Sequence, residues 1–135
     1  MNILHYDDLL SAARQQPQPQ RLLFVFAQVE LPDDASADER ARFEAGEGGA
    51  LAPRLCVAKA PEDGTSFAAL CDEADGMDAQ WSLVVSAALG GQRGQPPSEH
   101  AVDQALEQLV GRVQAGALDG LLVFDRRGEA LSLSA

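Results

Sequence analysis

The stretch RLLFVFAQV (21–29) constrains this chain more than any other, because residues 22–27 are apolar without a break or an alternation. A strand with one wet face would alternate apolar and polar side chains, whereas a strand buried on both faces reads as a continuous apolar run. The run therefore predicts a central strand. WSLVVSAAL (81–89) is nearly as continuous and predicts another, and LAPRLCVAK (51–59) predicts a further strand broken early by Pro53. LLVF (121–124) reads as a fourth strand. DRRG (125–128) has Asp first and Gly last, as a type I turn favours, and the alternating EALSLS (129–134) reads as a fifth strand returning from it.

Helical patterns lie before and between these strands. In HYDDLLSAARQ (5–15), Tyr6, Leu9, Leu10 and Ala13 share one face, and Asp7 and Asp8 suit the positive end of the helix dipole. The prolines of QPQPQ (16–20) end that helix. Ser36 and Glu39 have capping-box spacing and predict a charged surface helix over 37–45 with Phe43 as its one large apolar residue. Thr65 or Ser66 caps a helix to about residue 73, with Phe67, Leu70 and Cys71 inward. Ser98 caps the longest helix, over 99–115, whose stripe of Val102, Ala105, Leu106, Leu109, Val110 and Val113 is broad, and Gly116 stops it. GGQRGQPPS (90–98) is rich in Gly and Pro and reads as a flexible loop.

Strands alternating with helices predict a single α/β domain over 1–135. The expected architecture is a mixed, mainly parallel sheet of four to five strands, helices packed on it, and a C-terminal β-hairpin. A two-layer α+β arrangement is the alternative, because the helix after the first strand is weakly amphipathic.

Charge narrows the function classes. The chain carries a formal charge of −11, concentrated at 30–49 and 62–78, while 50–61 holds only the bases Arg54 and Lys59. So acidic a surface repels phosphate backbones, and no nucleic-acid partner is expected. No apolar run approaches the roughly 18 residues of a membrane helix, so no membrane partner is expected either. MNILHYDDLL has acids where a secretory signal carries bases. A cytoplasmic location follows, with Cys56 and Cys71 as free, buried thiols.

Motifs that carry chemistry fail one by one. FEAGEGGAL (43–51) resembles a phosphate loop, but its helix precedes the glycines and Glu44 and Glu47 would repel the anion. Gly46 reads instead as a helix stop. CDEADGMD (71–78), aligned on Gly76 as a calcium loop, puts Cys71 and Ser82 where carboxylates are needed. No GxSxG or HExxH is present. His5 and His100 read as surface imidazoles, and Arg126 and Arg127 as residues that solvate a turn. No motif marks a catalytic residue, the reading leans away from an enzyme, and neither a metal nor a cofactor is expected.

The stretches YDDLLSAARQQPQPQRLLFVFA (6–27), ELPDDA (30–35), FEAGEGGALAP (43–53) and CVAKAPEDGTSFAAL (56–70) resemble a small family of bacterial proteins without an assigned activity. Some of its members are labelled ribonucleotide reductase subunit alpha. That subunit is a far longer barrel with a redox cysteine pair, and Cys56 and Cys71 in a chain of 135 residues do not make one. The resemblance implies no catalytic residue here.

Two functional expectations remain. One is a non-enzymatic acidic module that binds a protein partner or forms a homodimer through the C-terminal edge strand, LSLSA (131–135). The other is a small-molecule site, enzymatic or regulatory, beyond the carboxyl ends of the strands. Lys59, Arg93, Ser98 and His100 are its polar candidates.

Overall fold

A computed structural model describes residues 3–31, 34–45, 50–61, 66–77 and 80–131. The elements, in chain order, are α1 (Tyr6–Arg14), β1 (Gln20–Glu30), α2 (Ala37–Glu44), β2 (Ala50–Lys59), α3 (Phe67–Gly76), β3 (Leu83–Gly90), α4 (Glu99–Ala115) and β4 (Leu122–Phe124). The strands form one sheet in the order β2-β1-β3-β4. Each neighbouring pair is antiparallel.

The expected mainly parallel sheet is thus overturned, for a reason visible at Glu30. That residue lies opposite Ala50, so the chain enters β2 at the end where it left β1. Parallel neighbours need a crossover whose helix packs on the sheet. Helix α2 buries no residue and so cannot serve as one. It is an excursion inside a long hairpin connection. The two-layer alternative is also overturned, because helices cover both faces.

β1 feeds both cores. Leu22, Phe24 and Phe26 point to one face and pack with α1 and α3 through Tyr6, Leu9, Phe67 and Leu70. Leu23, Val25 and Ala27 point to the other face and pack with α4 through Val102, Leu109 and Val113. Val84 and Val85 on β3 divide between the faces in the same way.

Between Phe26 and Ala27 the register with β2 slips, so Phe26 faces Leu55 while Ala27 faces Pro53. Arg54 is the extra residue of a bulge. The bulge inverts the parity of β2, which puts both Leu51 and Cys56 on the α4 side. Pro53 is tolerated because β2 is an edge strand.

The helix ends follow local chemistry. Ser36, Ser66 and Ser98 each accept a backbone N–H of the first turn, satisfying donors that have no partner within the helix. Gly116 ends α4 at φ 71°. His5 caps α1 by accepting Asp7 N–H at Nδ1, while Nε2 lies 3.1 Å from the Arg127 carbonyl. One neutral tautomer satisfies both contacts.

The first and last described segments meet beside β4. The 125–128 turn closes through Gly128 N–H to Asp125 O, with Gly128 at φ 79°. A Cβ on Gly128 would meet His5 Nε2 at 3.0 Å and the Phe67 ring at 3.1 Å, so glycine is required twice over. Beyond the turn, Leu131 N–H donates to Val123 O and Ala130 N–H to Leu4 O. The expected returning strand is therefore flanked on both sides where it is described, and 132–135 lie outside the described residues. So does 46–49, the expected helix stop.

Tyr6 is fully buried and touches three rings, with centroids 5.8 Å from Phe24, 5.3 Å from Phe67 and 6.2 Å from Phe124. Burial, reinforced by the Asp7 carboxylate, pushes its hydroxyl up from 10.0 to about 12. The unfolded chain therefore releases this proton first as pH rises. Stability from Tyr6 is complete below pH 10 and falls as pH climbs through the folded value, by roughly 2–3 kcal/mol at about 1.4 per pKa unit. Urea denaturation between pH 9 and 12 is expected to show this loss, and Tyr6→Phe is expected to remove it. Tyr6 is the sole tyrosine, so tyrosinate absorbance follows it directly.

Candidate functional site

Two concave regions lie on opposite faces of the sheet. The first runs beside β2. Among the described residues, β2 pairs only with β1, which leaves its outer main-chain groups without strand partners. Edge-guarding chemistry sits at its ends. Pro53 removes a donor, Arg54 pairs with Glu30, and Lys59 pairs with Glu73 of α3 at 2.8 Å. Between them, 55–58 (LCVA) carries no charge and no proline.

Helix α4 lies across β2, β1 and β3, and its flank borders a groove of about 450 Å³ at the β2 edge. Leu106 and Val110 give the groove an apolar wall, Cys56 contributes from the strand, and Asp103 and Glu107 supply negative charge. Cys56 is exposed rather than buried as expected, and Cys71 is half-buried; both are free thiols. Burial, with Asp75 adding to it, pushes the Cys71 thiol up.

The second region is a cavity of about 510 Å³ beneath α1, at the end of the sheet where β1 begins. Leu9 and Leu122 form apolar walls, and Ala12 and Ala88 leave room by their small size. Ser86 lines it from β3, opposite Phe24 on one side and Leu122 on the other. This serine is 1% exposed, and its hydroxyl has no hydrogen-bond partner among the described residues. Gln16 and Gln20 also line the cavity. Each directs its amide N–H inward along the chain, to Ala12 O and Gln18 O.

The four residues expected to form a small-molecule site are placed differently. Because β2 and β3 both run against β1, Lys59 and Gly90 finish at one end of the sheet, and the 90–98 loop is there too. Lys59 nevertheless turns to the α3 face, where Glu73 holds it. Ser98 is spent as the N-cap of α4 on the other face, and His100 is exposed in that helix's first turn. Arg93 is at φ 53°, the first central residue of a tight turn that Gln92 and Gln95 close through paired N–H···O bonds. Gln18 Oε1 accepts Gly94 N–H at 2.7 Å, so this expected flexible loop is a pinned turn. No pocket described here contains any of these four.

Arg126, read as a solvating residue, has a structural task instead. Its guanidinium sits 4.1 Å from the Trp81 ring centroid, donates to Trp81 O at 3.0 Å and lies 3.5 Å from Asp75, which also accepts Trp81 Nε1–H. Residues 71–76 of the calcium-like stretch are helical. Among the described residues no group of three or more metal-ligating side chains converges, and no helix is long and apolar enough to cross a membrane.

Residue reading missed Ser86 and Cys56. A signal existed for the first: LVVSAAL (83–89) holds a lone hydroxyl within an otherwise apolar run, at the parity of inward Val84. For Cys56 none existed, since its place on an edge strand depends on the order of the sheet.

A buried hydroxyl without a partner forfeits its hydration, at a cost of about 1–3 kcal/mol. Ser86→Ala is therefore expected to raise stability by about 1 kcal/mol, measured by urea denaturation at neutral pH, whereas an equal loss would mean that the hydroxyl is satisfied. No family model matches the chain, and neither a curated protein nor a solved structure does.

Proposed function

We propose that this chain is a non-enzymatic interaction module that takes up an extended basic segment of a protein partner along the edge of β2. The observation that carries this reading is the open edge at 55–58 with the α4 groove beside it. An added strand gains affinity from main-chain hydrogen bonds and specificity from the pockets that receive alternate side chains. Side chains on the α4 side of such a strand would meet Leu106 and Val110. Asp103 and Glu107, within a chain of net charge −11, favour lysine or arginine at flanking positions on that same face. Two free thiols suit a cytoplasmic location.

Self-pairing of two β2 edges, or of the C-terminal segment, is the competing occupancy. Like net charges oppose both.

The test is titration, at low salt, with a capped heptapeptide that carries lysine at its two ends and valine at its third and fifth positions, all on one face, with threonine between them. Amide shifts are expected to concentrate at 55–58 and along the α4 flank. Bound peptide is expected to slow alkylation of Cys56, the exposed thiol, while half-buried Cys71 reacts slowly throughout. Asp103→Lys with Glu107→Lys, both at exposed positions, is expected to weaken binding about tenfold, or 1.4 kcal/mol. Shifts confined to other surfaces would overturn the reading. A concentration-dependent dimer in sedimentation, with its shifts at β2 and no response to peptide, would replace it with self-association.

A further inference from the structure

We infer that the cavity beneath α1 is a binding site for a small uncharged molecule with an apolar body and one hydroxyl group, which Ser86 receives. This site is independent of the β2 edge, on the other face of the sheet.

Three observations converge on it. The first is space: about 510 Å³ falls within the roughly 300–1,000 Å³ range of small-molecule sites. Ala12, Ala88 and Gly120 create that space where larger side chains would have continued the aromatic core.

The second is the Ser86 hydroxyl. It is buried at the cavity wall without a partner, next to Val84 and Val85, which are completely buried. Alanine or valine at this position would bury no polar atom. A lone unsatisfied hydroxyl in an otherwise apolar strand is accounted for when something from outside the chain completes its hydrogen bond.

The third is the kind of polar group present. Among the described residues the cavity is lined by Ser86, Gln16 and Gln20 and otherwise by apolar residues, with no charged side chain. An ionised ligand would lose its hydration there without a counter-charge. A hydroxyl suits the site better. It can exchange one hydrogen bond with Ser86 while the apolar body lies against Leu9 and Leu122. The amide oxygens of Gln16 and Gln20 remain as further acceptors, since their N–H groups bond to the backbone.

The probes are 2-phenylethanol, ethylbenzene, which lacks the hydroxyl, and phenylacetate, which is charged. With the full chain, 2-phenylethanol is expected to shift the amide signals of Ser86, Ala88 and Leu122 and to bind more tightly than either analogue. Ser86→Ala is expected to weaken 2-phenylethanol about fivefold, the size of one net hydrogen bond, and to leave ethylbenzene unchanged. Ala88→Leu, at an exposed strand position, is expected to abolish binding of both by filling the space; Ala12→Leu fills it from the helix side should the strand variant fold poorly. Equal affinity of Ser86→Ala and the parent chain for 2-phenylethanol would overturn the assignment and leave Ser86 as the seat of an ordered water. Shifts clustered away from β3 and β4, or phenylacetate binding as tightly as the alcohol, would overturn it as well.

Discussion

Everything else in the molecule depends on the double burial of β1. Its six residues at 22–27 are all buried, and they alternate between the two cores. Removing cover from either face would strand three of them in water. At roughly 1.5–3 kcal/mol for each fully buried aliphatic or aromatic side chain, that exceeds what the short α1 or the single α4 could recover elsewhere. The layers are therefore mutually dependent: α1 and α3 are held because Phe24 and Phe26 need them, and α4 because Leu23 and Val25 do. The bulge at Arg54 lets β2 serve this arrangement, presenting Leu55 and Val57 to one core and Leu51 and Ala58 to the other.

The two sheet edges are treated differently. At β4 the chain folds back on itself. The tight turn at Gly128, the His5 cap and the bond from Ala130 N–H to Leu4 O bring the first and last described segments together. That closure places Tyr6 against Phe67 and Phe124, so it belongs to the core as much as to the edge. At β2 no such closure is present among the described residues. Guarding chemistry brackets 55–58 but does not cover it. An uncovered edge of this kind invites a further strand. A net charge of −11 opposes pairing with a second copy of the same chain and suits the basic strand proposed above.

How much was legible in the sequence follows from what each signal reports. Helix and strand positions were read well because caps and apolar runs are local: Ser36, Ser66, Ser98 and Gly116 end their helices where the residues predict. Strand direction was misread because 22–27 reports burial on both faces, and that depends on layers rather than on direction. The clue to direction was the weak apolar face of the helix over 37–45, which favoured the alternative fold when it should have argued against a crossover. The carboxyl-end rule that groups Lys59, Arg93, Ser98 and His100 belongs to parallel sheets, and an antiparallel sheet has no such end; Lys59 and Ser98 lie on opposite faces. Cys56 is exposed on the edge strand β2, a placement set by sheet order that no composition or spacing announces.

The places where local rules are broken are few, and they are informative because the rest of the chain obeys them. Arg93 is the one residue other than glycine with positive φ among the described residues. Its strain has a local account, since the turn it forms pins the QPQPQ segment through Gln18. Ser86 has no such account. Among the described residues nothing uses its hydroxyl, yet it stands in a strand whose neighbours Val84 and Val85 are wholly buried. The difference separates a defect that the fold explains from one that it does not. A strained turn that ties two loops together lowers the energy of the whole. A buried hydroxyl without a partner at a cavity wall raises it, and is accounted for where an outside group supplies the missing bond.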